Sequence, residues 1–162
     1  MPGRATKIRL IVNGTPRMVE VDPSTPLVFV LRNEIGLMGT KHGCGLEQCG
    51  ACAILVDGAV TLSCVRAVSE FADKEIVTIE GLATDDRYTP IQQAFIEEGA
   101  AQCGYCTPGI IIALSALIAR TSSPDRSEIE ETLKGHLCRC GSHASVLRAV
   151  HKLVDQVSSG AA

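Results

Sequence analysis

Gly43-Cys44-Gly45-Leu46-Glu47-Gln48-Cys49-Gly50-Ala51-Cys52 sets three thiols in a C-x4-C-x2-C spacing within a glycine-punctuated loop, and a fourth thiol, Cys64, follows downstream. That spacing is the plant-type [2Fe–2S] pattern. Four thiolates around two ferric ions leave excess negative charge, so the loop must aim backbone N–H groups at sulfur and keep side chains clear. Glycine does both, because positive φ values turn successive amides inward. Cys44, Cys49 and Cys52 are therefore read as ligands, with Cys64 closing the cage and tying the loop to a sheet.

The segments around this loop read as that sheet. Lys7–Val12 and Arg17–Val21 alternate apolar and polar residues about Asn13-Gly14, a short hairpin turn in which both central residues tolerate positive φ. Cys52–Val56 and Ala59–Ser63 repeat the arrangement about Asp57-Gly58, and Glu75–Ile79 supplies a fifth strand. Between the hairpins, Asp22-Pro-Ser-Thr-Pro26 offers caps, and Leu27, Val28, Leu31 and Ile35 recur at helical spacing until Gly36, which predicts a helix over 26–35. Residues 5–82 thus form a mixed α+β domain, five-stranded and β-grasp (ubiquitin-like or ferredoxin-like).

Residues 83–89 are polar and aperiodic and serve as a linker. Residues 90–157 read as all helix. Thr89-Pro90 and Thr107-Pro108 each place a cap before a proline suited to a first turn, which opens helices near 90–99 and 108–120. Ser127-x-x-Glu130 matches a capping box for a helix ending near Gly135. Ser142 caps a last helix whose Val146, Leu147, Val150, Leu153, Val154 and Val157 share one face. Four helices in this order predict a compact four-helix bundle.

The other four of the eight cysteines fall at the joints of that bundle, as Cys103-Gly-Tyr-Cys106 and Cys138-Arg-Cys140. They suffice for a second two-iron cluster, with the helix starts after Cys106 and Cys140 turning positive dipole ends toward it. Arg139, between two ligands, holds its guanidinium toward solvent or a partner. Zinc also accepts four cysteines, and Cys103-x2-Cys106 alone fits a zinc site or a redox dithiol, but one residue between Cys138 and Cys140 is unusual for zinc. Rieske-type centres use histidine, yet the cysteines already satisfy two sites, so His42, His136, His143 and His151 take structural or surface roles, His143 being the one best placed to matter at a cluster. Glu47 and Gln48 face solvent, and Glu97-Glu98 is a hydrated helix end.

Composition excludes several classes. A net charge of −3 with no basic block gives no case for nucleic acid. The longest apolar run, Ile110–Ala119, is half the ~20 residues of a membrane span, and the N-terminus does not read as a signal peptide. These features place the chain in the cytoplasm, where an even cysteine count argues for metal over disulfides. Aromatic residues are 3% of the chain, so the cores are aliphatic, and the clusters act as staples for two small domains.

Gly43–Cys52, Gln102-Cys-Gly-Tyr-Cys-Thr-Pro-Gly109 and Leu137-Cys-Arg-Cys-Gly141 together closely resemble the small iron–sulfur subunit of the xanthine oxidase family of molybdenum hydroxylases, over residues 5–157. The resemblance implies an electron-transfer subunit without a substrate site of its own. It implies an N-terminal plant-type ferredoxin-like [2Fe–2S] domain and a C-terminal helical one, in a complex whose large subunit holds a molybdopterin cofactor. The cluster on Cys103, Cys106, Cys138 and Cys140 is then nearest molybdenum, with Gln102 and Cys140 at positions that contact the pterin. The cluster on Cys44, Cys49, Cys52 and Cys64 is the outer one, passing electrons to FAD on a medium subunit or to haem on a cytochrome c-type subunit. Residues 94–103 and 138–150 look most like nicotinate-type dehydrogenase small subunits, and His143, where many relatives have tyrosine, fits that branch. This points to an N-heteroaromatic substrate, with an aldehyde dehydrogenase complex as the nearest rival and a zinc-stabilised interaction module as the reading from another class. Any membrane association is made through a partner.

Overall fold

The structure, a computed structural model, describes residues 4–83, 87–121 and 123–158, with residues 157 and 158 described by backbone alone. Three residues of the expected linker, 84–86, and the side chain of Val157 therefore lie outside what is described.

The N-terminal half is a five-stranded sheet: β1 (Thr6–Val12), β2 (Thr15–Val21), β3 (Ala53–Val56), β4 (Ala59–Leu62) and β5 (Glu75–Val77), in the order β2-β1-β5-β3-β4. Both hairpin turns form as their sequences predict, with Asn13 and Gly14 at φ 51° and 72° and Asp57 and Gly58 at 50° and 81°. Alternation puts Ile8, Leu10 and Val12 of β1 inward, where they meet Leu27, Leu31, Ile54, Phe71 and Ile76 in one aliphatic cluster. β5 runs parallel to β1 and antiparallel to β3, so the two hairpins are joined through a strand remote from both in sequence. The turn residues anchor it: Asn13 accepts the Thr78 N–H at 2.9 Å, and Asp57 accepts the Glu75 N–H at 3.1 Å. The Asn13 bond ends the strand at Val77, short of the expected Ile79, and the chain enters a 3-10 turn over Ile79–Gly81.

The expected helix over 26–35 is present in altered form. Leu27–Phe29 (α1) makes one α turn and then widens into a π-helix over Val30–Glu34. Its first amides are held from outside the helix: Leu27 N–H by the Arg66 carbonyl at 3.0 Å and Val28 N–H by the Ser63 carbonyl at 3.1 Å. No side chain caps it, since Asp22 instead accepts the backbone and hydroxyl of Ser24.

Four helices follow: α2 (Pro90–Glu97), α3 (Thr107–Arg120), α4 (Arg126–Leu133) and α5 (His143–Ser158). Thr89 caps α2 as the sequence suggests, and the structure adds a capping box with Gln92. The other two boundaries differ. Cys106, not Thr107, is the residue before α3, and the box of α4 is Asp125 with Glu128, two residues upstream of the Ser127/Glu130 match. Asp accepts an amide as well as Ser does, and both pairs fit the pattern, so spacing alone could not choose between them.

α3 is buried at half of its residues, Gly109 to Leu114 without interruption, because it is the shared element of the molecule. One side packs on α2 and α4, the other on β3 and β4. Its apolar character is that of a central helix, and among the described residues no helix is long and apolar enough to cross a membrane.

Candidate metal centres

In the first loop the glycines and one unexpected residue turn the backbone around Cys44. Gly45, Glu47 and Gly50 have φ of 65°, 55° and 72°. The amides that follow the first two, Leu46 and Gln48, both point at Cys44 Sγ at 3.3 Å, and the Cys44 N–H points at Cys49 Sγ at 3.3 Å. A left-handed glutamate costs about 1–2 kcal/mol, and what it provides is the aim of the Gln48 amide. The Gln48 N–H, helped by Leu46 and by the Cys49 thiol, draws Cys44 down to about 7 against the effect of burial. Cys52 and Cys64 form the inner pair at 1% and 3% exposure, within hydrogen-bonding reach of each other. Burial first, and the Cys64 thiol second, push Cys52 up to about 12. The loop therefore presents one amide-rich, accessible pair, Cys44 with Cys49, and one dry pair.

The second set repeats this division on different elements. Cys103 and Cys106 join α2 to α3, and Cys138 and Cys140 join α4 to α5, with Gly104 and Gly141 left-handed at φ 78° and 75°. Cys103 meets Cys140, and both are exposed; Cys106, buried, meets Cys138. The Tyr105 N–H, then the Cys140 thiol, lower Cys103. Burial raises Cys106 to about 11. Ser142 lowers Cys138 to about 7: its hydroxyl lies 3.0 Å from Cys138 Sγ, and its N–H donates to the same sulfur at 3.4 Å.

Eight thiols thus meet in four pairs, two pairs to a set. Among the described residues no three His, Cys, Asp or Glu side chains converge as for one metal ion. Pairs with amides directed at their sulfurs are what a two-iron centre asks for, two thiolates per iron with donors for the residual negative charge. On the donor set, both groups fit [2Fe–2S].

The sets lie side by side. Cys44 and Cys49 wall one side of a cleft of about 190 Å³, Cys103 and Cys106 the other, with Arg139 on its lining. Three contacts close the seam. The Leu137 N–H donates to the Cys49 carbonyl at 3.1 Å, the Tyr105 hydroxyl donates to the His42 carbonyl at 2.6 Å, and Gly50 backs onto both Gly109 and the buried ring of His136. The histidines have the structural roles expected of them: His42 stacks on Phe29 at 4.9 Å, His136 packs against Gly50, and His143 accepts the Cys138 N–H at 3.3 Å, while His151 is exposed. Gln102 is exposed beside Cys103, and Glu47 and Gln48 are exposed as read. Glu97 and Glu98 bind Lys152 rather than standing free.

Sequence reasoning missed Ser142 as a sulfur donor, taking its hydroxyl for a helix cap, and missed the seam. One signal was legible: Gly109 in the first turn of an otherwise apolar helix marks a close approach, since glycine there costs about 1 kcal/mol against alanine.

Comparison with known proteins follows the same division. Residues 10–81 match the 2Fe-2S iron-sulfur cluster binding domain, and residues 78–151 match the [2Fe-2S] binding domain. One of the subunits of nicotinate dehydrogenase from Pseudomonas putida is 46% identical over 93% of this chain and 96% of its own length. A probable xanthine dehydrogenase subunit from Bacillus subtilis is 42% identical over 98% and 91%. The crystal structure of quinoline 2-oxidoreductase from Pseudomonas putida 86 superposes with a TM-score of 0.90 at 33% identity, covering 99% of this chain and 100% of that one.

Proposed function

The chain belongs to the small iron–sulfur subunits of the xanthine oxidase family of molybdenum hydroxylases, and on that premise we propose the centres and partners between which it carries electrons. One [2Fe–2S] cluster is held by Cys44, Cys49, Cys52 and Cys64, the other by Cys103, Cys106, Cys138 and Cys140. When bound, each supplies a one-electron couple.

The observation that carries the reading is the Leu137 N–H bond to the Cys49 carbonyl. Leu137 precedes one ligand, and Cys49 is another, so a short covalent path with one hydrogen bond joins the two sets. The chain's own residues do the rest. Amides of Leu46, Gln48, Cys44 and Ser142 offset the charge on sulfur, and burial of Cys52, Cys64 and Cys106 keeps water from the inner pairs.

Exposure supports a direction for the transfer. Gln102, Cys103 and Cys140 are exposed together at the joints of the helical half, and Leu137 and Tyr105 beside them are 60% and 48% exposed, an apolar margin suited to a partner. We assign this face to the large molybdopterin subunit, with Gln102 and Cys140 as the pterin contacts, and the helical-half cluster as the one nearer molybdenum. The first cluster then faces the acceptor, FAD on a medium subunit or haem on a cytochrome c-type subunit. The complex resides in the cytoplasm, and its substrate is an N-heteroaromatic compound, as the name of the nicotinate dehydrogenase relative supports; an aldehyde is the rival. The chain itself holds no substrate site.

The test is native purification of the chain with its partners, followed by mass spectrometry and analysis for molybdenum, iron, zinc, flavin and haem. Iron in this chain, with a molybdenum subunit beside it, is the expected result. Flavin or haem in a third subunit identifies the acceptor, and a colourless zinc-containing chain without such partners overturns the proposal.

A further inference from the structure

Ser142 stands immediately before α5, where its hydroxyl would ordinarily cap the helix, and the Ser142 carbonyl does accept the first helical N–H, from Val146, at 2.9 Å. The hydroxyl is directed elsewhere. It lies 3.0 Å from Cys138 Sγ in a residue 5% exposed. A metal-bound thiolate carries no proton, so in the loaded protein the serine must be the donor. A serine hydroxyl ordinarily stabilises a helix start by capping it, and here the hydroxyl that could do so serves a sulfur.

Among the described sulfur contacts, backbone N–H groups serve several of the thiols, Cys44, Cys49, Cys52, Cys103 and Cys138 among them, and only Cys138 also has a side-chain hydroxyl. The position matters, because Cys138 follows Leu137, whose N–H holds the Cys49 carbonyl. The hydroxyl thus acts on the ligand at the seam between the two sets.

We propose that Ser142 is a positioning residue that sets the reduction potential of the helical-half cluster, its hydroxyl raising that potential through Cys138. One-electron reduction adds negative charge to the cluster, and a hydrogen bond to a ligand sulfur is stronger to the more negative state, so the donor favours the reduced form. A higher potential in the cluster nearer molybdenum makes it the readier acceptor of the first electron. The inference rests on the two-cluster reading above.

The test is a redox titration of the purified complex, monitored by electron paramagnetic resonance, for the native chain and for Ser142→Ala, Ser142→Cys and Ser142→Thr. The native complex shows two cluster signals; none at all would overturn the electron-transfer reading itself, and this inference with it. Given two signals, Ser142→Ala lowers the midpoint potential of one cluster and leaves the other in place, Ser142→Thr keeps the native value, and Ser142→Cys falls between. If Ser142→Ala does not retain the cluster, the Thr and Cys variants decide: Thr at the native value with Cys below it supports the assignment. Potentials that do not change with the residue at 142, that follow side-chain size rather than donor strength, or that shift equally in both clusters overturn it.

Discussion

Gly109, the third residue of α3, lies so close to Gly50 that a Cβ on it would overlap the Gly50 carbonyl oxygen. The two glycines are where the helical half rests on the cysteine loop, between the ligand candidates Cys49 and Cys52 on one side and just after Cys106 on the other. Backbone against backbone is the closest approach two elements can make, and it brings the two thiol sets to opposite walls of one cleft.

Gly109→Ala tests that contact with a clear sign. Helix propensity alone would make alanine stabilising by about 1 kcal/mol. The overlap with backbone, which cannot swing aside as a side chain can, makes the variant less stable by about 1–3 kcal/mol instead. Thermal unfolding gives the sign, and electron paramagnetic resonance of the reduced protein reports a weaker magnetic interaction between the clusters as the halves move apart.

Tyr105→Phe removes the one side-chain bond described across the seam, from Tyr105 to the His42 carbonyl. The residue is 48% exposed, so the left-over carbonyl finds water and the loss stays near 0.5–1.5 kcal/mol, about that of an ordinary hydrogen bond. Denaturant unfolding should show that modest shift with both clusters retained.

Cys64→Ala removes a proposed ligand of the N-terminal set alone. Because the four thiols of the helical half stand on other elements, that cluster should survive. Iron analysis is expected to fall to half of the native value and one of two paramagnetic signals to vanish; loss of both would show that the sets assemble as a unit.

In the cluster-free chain the thiols separate by reactivity. Cys44 is drawn down to about 7 and Cys52 pushed up to about 12, so near pH 8, by the thiolate rule, the first is mostly ionised and the second almost wholly protonated. Iodoacetamide labelling followed by mass spectrometry should mark Cys44 well before Cys52. The Cys44 rate should fall as pH drops below about 7, where its thiolate is lost.

Much of the local structure was legible because it depends on neighbours in sequence. Asn13-Gly14 and Asp57-Gly58 specify their turns through the φ values their residues tolerate, and Thr89 followed by Pro90 specifies the start of α2. Thr107-Pro108 signalled the opening of α3, though not its place between sheet and bundle. Where two local signals competed, as Asp125 and Ser127 did before α4, spacing fitted both, and only the structure shows Asp125 as the cap, with Ile129 and Leu133 buried behind it.

By itself the sequence determined the two sets of four cysteines, the glycines that let a loop bend around them, and the change from strand to helix between the two halves. These follow from covalent spacing and from the conformational limits of single residues. Only the tertiary structure decided which thiol meets which, that β5 lies between β1 and β3, that Ser142 turns its hydroxyl to sulfur, and that Gly50 meets Gly109. Each of these joins residues far apart in the chain or chooses between two partners within reach of one group, and such choices are settled by packing across the whole fold.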